Sequence, residues 1–108
     1  MISNLGFMEE CITLNCEDDV LGVASLDANN TVVAGEEDAD FIGIIKHVRG
    51  GFASVQVMGH AVVNFSGELG LGVAHVVCDG DGGITPAETG GREILVLSVG
   101  TDTAEIIM

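Results

Sequence analysis

A chain of 108 residues with seventeen acidic side chains against three Lys and Arg, a formal charge of −14, has room for one domain with one modest core. That charge argues against nucleic-acid and anionic-membrane binding, which rest on basic side chains neutralising phosphates. Apolar residues make up 47% of the chain but aromatics only 4%, so the core must be built from Val, Ile, Leu and Ala; sixteen Gly and one Pro favour strands and turns over helices.

Residues 1–10 carry Leu5, Phe7 and Met8 without clean periodicity. Two readings stay open for them: a frayed end or edge strand, or an arm that orders against a partner and buries those three side chains. Residues 11–108 read as a single β-rich domain. Alternation over residues 10–15 predicts a first strand, followed by the acidic turn Glu17-Asp-Asp19. Residues 20–26 make a second strand and residues 31–33 a brief third, separated by Asp27-Ala-Asn-Asn30. Residues 34–40, with four carboxylates, read as a solvated loop, since oxygen ligands for calcium need a convergent frame.

Residues 41–59 form the centrepiece, two strands joined at Arg49-Gly-Gly51, where Gly-Gly supplies the positive φ of a tight hairpin. Alternation places Phe52, Ser54, Gln56 and Met58 on one side of the second strand and Ala53, Val55 and Val57 on the other. Further strands are predicted over residues 60–65, 71–78, 92–99 and 103–108, with a stub at Ile84-Thr85 and turns between. About eight to ten short strands at such intervals predict a small all-β barrel or sandwich. The order of elements also echoes itself: Leu21-Gly-Val-Ala24 returns as Leu71-Gly-Val-Ala74, each copy followed by a turn, a stub, a strong strand and an alternating strand, which predicts a pseudo-duplicated body.

Chemistry-bearing motifs are weak. Counted from Asp79, the Asp/Gly run places Ile84 at loop position six and Gly90 at position twelve, where a calcium-binding EF-hand needs Gly and Glu. His47, His60 and His75 lie on separate strands without ligand spacing. Three cysteines cannot all pair within one chain; a Cys11–Cys16 disulfide and free thiols both remain open, with Cys11 and Cys78 read as small core residues. With no secretory signal pattern and no long apolar run, the expectation is a cytosolic, reduced protein without a transmembrane segment. No catalytic residue, cofactor site or metal site is assigned.

The words Phe41-Ile-Gly-Ile-Ile45, Arg49-Gly-Gly-Phe-Ala-Ser-Val-Gln-Val-Met-Gly59, Leu71-Gly-Val-Ala-His-Val-Val77, Asp81-Gly-Gly-Ile-Thr-Pro86 and Ile94-Leu-Val-Leu-Ser-Val99 fall in an order that resembles the head decoration, or capsid cement, proteins of tailed bacteriophages. The likeness spans about residues 10–108. It implies a β-rich virion protein made in the bacterial cytoplasm and bound to the major capsid protein on the outside of the expanded capsid, commonly as a homotrimer at local threefold positions. The likeness carries over no contact residues; read from the chain itself, the candidate capsid or oligomer contacts are Leu5, Phe7 and Met8 near the N-terminus and Arg49 and Phe52 at the hairpin turn, side chains suited to anchor on a partner. Two other classes remain: a structural subunit of another assembly, such as a tail or shell, and a small ligand- or metal-binding barrel.

Overall fold

The computed structural model of the chain describes residues 9–16 and 20–108. Nine strands and no helix occur among them: β1 (Glu9–Asn15), β2 (Val23–Ala28), β3 (Thr31–Ala34), β4 (Gly43–Arg49), β5 (Phe52–Asn64), β6 (Gly72–Cys78), β7 (Ile84–Pro86), β8 (Arg92–Val99) and β9 (Thr103–Ile107). The all-β reading of the sequence holds. The first strand begins at Glu9, so residues 9 and 10 of the expected arm pair with Gly59 and Met58 in the sheet. Residues 1–8, with Leu5, Phe7 and Met8, lie outside the described residues.

Pairing runs β1-β3-β2-β4-β5 and returns from β5 to β1, which closes a five-stranded barrel, the first lobe. Its β4–β5 hairpin turns at Gly50 and Gly51, with φ of 58° and 85°, the left-handed pair that a two-residue turn demands. The sequence suggests two strands over residues 52–65, but β5 is continuous through Gly59. Residues 52–58 belong to the first barrel, while residues 60–64 pair with β9 and open a second lobe, ordered β5-β9-β8-β6-β7. A parallel bridge from Phe65 to Ile84 brings β7 back to the end of β5. The last residue is tied in by reciprocal backbone hydrogen bonds between Gly59 and Met108, 2.9 and 3.4 Å.

The two lobes share one plan. In the first, Val23 pairs with Ile44 and Ile44 with Gln56; in the second, Val73 pairs with Leu95 and Leu95 with Ile107. The bulge in β4 between Ile45 and His47 recurs in β8 between Val96 and Ser98. Even the closing contacts correspond: the Cys16 N–H donates to Gly51 O, and the Phe65 N–H to Asp102 O. The echo in the sequence is therefore a repeat of topology and register.

Each lobe buries its own side chains. Leu14, Val20, Ala24, Val32, Ala53 and Val55 fill the first barrel. Val63, Val76, Cys78, Ile84, Ile94, Val96 and Ile106 fill the second, joined there by Val23 and Phe41 of the first lobe. Strand β2 is the hinge between cores: Val23 points to one and Ala24 to the other, so three successive residues, 23–25, are buried. Each fully buried Val or Ile of this joint contributes about 1.5–3 kcal/mol over leaving it in water.

Polar side chains complete the joint. Gln56 is fully buried, and its Nε2 donates to the carbonyls of Met58 (3.2 Å) and His60 (2.9 Å), on either side of the Gly59 changeover. Alternation alone places Gln56 on the outer face of the first barrel, and that is where it lies; the second lobe covers it. Arg92 of β8 donates to Ile42 O (2.6 Å) and to Val57 O, and its guanidinium stands 5.6 Å from the centroid of the Phe41 ring. Burial pulls the Arg92 pKa below its ordinary value.

Candidate interaction surface

Of the contact residues expected from sequence, Arg49 and Phe52 are cross-strand partners at the end of the β4–β5 hairpin, and Phe52 also pairs with Asn15 of β1. Both are exposed, Phe52 at 53%. They form a small apolar and basic tip on a chain with only three Lys and Arg.

A larger surface lies on the outside of the second lobe. Pairing aligns Val73, Leu95, Ile107 and His60 in one row across β6, β8, β9 and β5. Leu71 and Leu97 flank it, and exposures of 71% at Leu71, 66% at Val73, 40% at Leu95 and 42% at Leu97 mark its β6–β8 end as open to solvent, while Ile107 and His60 at the other end are half-buried. Two acids at its margins carry histidine partners, Glu105 with His60 at 2.8 Å and Glu93 with His75 at 3.5 Å. Sequence reasoning missed this face. The signal was present in β8, where Ile94 and Val96 face the core while Leu95 and Leu97 make the opposite side apolar too. A strand apolar on both sides belongs where both sides are covered.

The acidic loop after β6 spends its carboxylate internally. Asp79 Oδ1 accepts from the N–H groups of Asp81 (2.6 Å) and Gly83 (3.0 Å), and Oδ2 accepts from the Ser66 hydroxyl (2.7 Å). Burial pushes this carboxyl up, but the Ser66 hydroxyl and the backbone donors outweigh it and hold the pKa below the usual aspartate value. Its contribution to stability is thus fully present above the ordinary carboxylate pKa and is lost as pH falls through the lowered one. Asp79→Asn should weaken the protein at neutral pH and flatten the acid limb of its stability profile below about pH 4; urea titrations at stepped pH check this, and an unchanged limb would contradict it.

Among the described residues no group of three or more His, Cys, Asp or Glu is placed to hold a metal ion. His47 and His75 are exposed on different strands, and His60 is engaged with Glu105. The cysteines are free. Cys16 and Cys78 are buried, but Cys11, expected in the core, is exposed. Its partner Gln56 faces outward from the first barrel, so Cys11 shares that outer side, and no second lobe covers it there. Burial, together with Asp79 and Asp40, pushes the Cys78 thiol up to about 11. A thiol reagent at pH 8 should therefore modify one equivalent quickly, at Cys11, and the other two only after unfolding; loss of the fast phase in Cys11→Ser checks the assignment.

Compared with known proteins, the chain matches no protein-family model, no curated protein and no solved structure.

Proposed function

We propose that the chain is a non-catalytic virion structural protein that binds the outer surface of an expanded phage capsid and stabilises it against the pressure of packaged DNA. The observation that carries this reading is a closed five-stranded barrel joined to a second lobe whose outer sheet face exposes Leu71, Val73, Leu95 and Leu97, on a chain of charge −14. An acidic exterior stays hydrated and is repelled by DNA, while an apolar face with histidine-paired acids adheres to protein. The likeness of residues 10–108 to capsid cement proteins supplies the partner, the major capsid protein.

The mechanism is mass action. A protein that binds only the expanded lattice stabilises that state, by about 2.7 kcal/mol per site at a hundredfold excess over Kd, and the gain is repeated over every site. Calorimetry of expanded shells should show the disruption temperature rising by several degrees when the protein saturates them. An unchanged temperature at saturation would overturn the stabilising role.

A further inference from the structure

Acid–base side chains are placed selectively on the outer face of the second lobe. Among the outward-facing side chains of residues 60–64 in β5 and of β6, β8 and β9, the histidines and acids are His60, His75, Glu93 and Glu105. They form two cross-strand pairs, His60 Nε2 with Glu105 Oε2 and His75 Nε2 with Glu93 Oε1. Both histidine–carboxylate pairs among the described residues thus lie on the face that exposes Leu71, Val73, Leu95 and Leu97.

The repeat shows that these pairs are not part of the common plan. Register sets Cys11, Ser25, Ile42 and Ser54 at their places in the first lobe, none of them an acid or a histidine. There the matching row of Val23, Ile44 and Gln56 is packed away against the second lobe. The paired acids occur where the row is open.

Histidine is the side chain whose charge changes between about pH 5 and 8. Above that range the face carries two carboxylate charges, and below it the two histidines cancel them. The nearest charged groups on adjoining segments are Glu10 of β1, opposite Met58, and Glu88, which follows Ala87 beside His75. Arg92 points to the inner side of β8 and is bonded to the first lobe. An apolar surface that docks on this face strips water from Glu93 and Glu105. That costs more for a lone carboxylate than for one held by a protonated histidine.

We propose that this face is a proton-gated contact surface, which holds apolar protein surfaces weakly near pH 8 and more tightly near pH 5.5, when His60 and His75 neutralise Glu105 and Glu93. It deepens the reading of this face as the one that meets the capsid, and rests on that reading for the partner alone.

Titration with the apolar anion anilinonaphthalene sulfonate between about pH 8 and 5.5 tests the gate without any shell. The dissociation constant should fall roughly three- to tenfold toward acid, the scale of cancelling two surface charges. Glu93→Gln/Glu105→Gln should bind at the upper pH as tightly as the unaltered protein does at the lower. His60→Gln/His75→Gln should lose the pH dependence, and His47→Gln, on β4 of the first lobe, should keep it. Val73→Gln/Leu95→Gln should weaken binding at both ends of the range. If the double histidine variant alters the circular dichroism, His75→Gln alone, at an exposed position, should show a reduced dependence. A flat titration, a dependence that survives in the folded histidine variants, or dye binding that survives Val73→Gln/Leu95→Gln would each overturn the proposal. A flat titration alongside shell binding removes the gate alone; an acid-enhanced titration without shell binding removes the capsid role alone.

Discussion

Arg92→Ala is expected to lower stability by about 2–3 kcal/mol, the range for a partly buried charged donor whose loss strands its acceptors. Arg92 reaches from β8 to two backbone carbonyls of the first lobe, Ile42 O and Val57 O, and lies over the Phe41 ring. Truncation leaves both carbonyls without this donor, removes the cation–π contact and opens space beside Phe41, which is 3% exposed. Arg92→Lys should recover only part of the loss, because one ammonium on a flexible stem cannot reproduce two donors held in a planar fork. At about 4 °C per kcal/mol for a domain of this size, the alanine variant should melt roughly 8–12 °C lower. A change under about 2 °C would show that the joint does not depend on this side chain.

Gly43→Ala is expected to cost about 3 kcal/mol or more, through steric overlap. Gly43 pairs with Ala24 of β2, and a Cβ there would stand 2.3 Å from Gln56 O and 2.9 Å from Val55 Cγ1. The obstacle is chiefly β5 backbone, which is held by β1 on its other side and cannot move alone. In the second lobe the matching position is Ile94, 3% exposed and part of the core, so the requirement for glycine belongs to the first barrel. Gly70→Ala is the control: among the described residues no atom lies within 4 Å of its Cβ position, and the substitution should change stability by no more than about 0.5 kcal/mol. Equal effects at the two positions would contradict the close approach of β4 and β5.

Much of this architecture was legible in the sequence. The Gly-Gly turn, the alternation of Ala53, Val55 and Val57, and the repeated Leu-Gly-Val-Ala words lead directly to the hairpin, the inward face of β5 and the doubled plan. These are local signals, in which neighbouring residues determine the outcome. The covering of a face is a long-range matter. Period-two alternation puts Gln56 opposite Val55 and Val57 but does not reveal that a second lobe lies over it. For the same reason Cys11 reads as core from its apolar surroundings, although its side of β1 is uncovered. The continuity of β5 through Gly59 was hidden because glycine within a β pattern also marks a turn. The open row on β6 and β8 emerged only once register aligned Val73 with Leu95 and set both against their buried counterparts in the first lobe.

The proposed role rests on recognition of the expanded state of a capsid lattice. Cosedimentation with undecorated phage shells, in compact precursor and expanded forms, tests it most directly. Saturable binding to the expanded shells, with little or none to the precursor, is the predicted result. No binding to either form, or equal binding to both, would contradict the account, because a ligand with the same affinity for two states stabilises neither over the other.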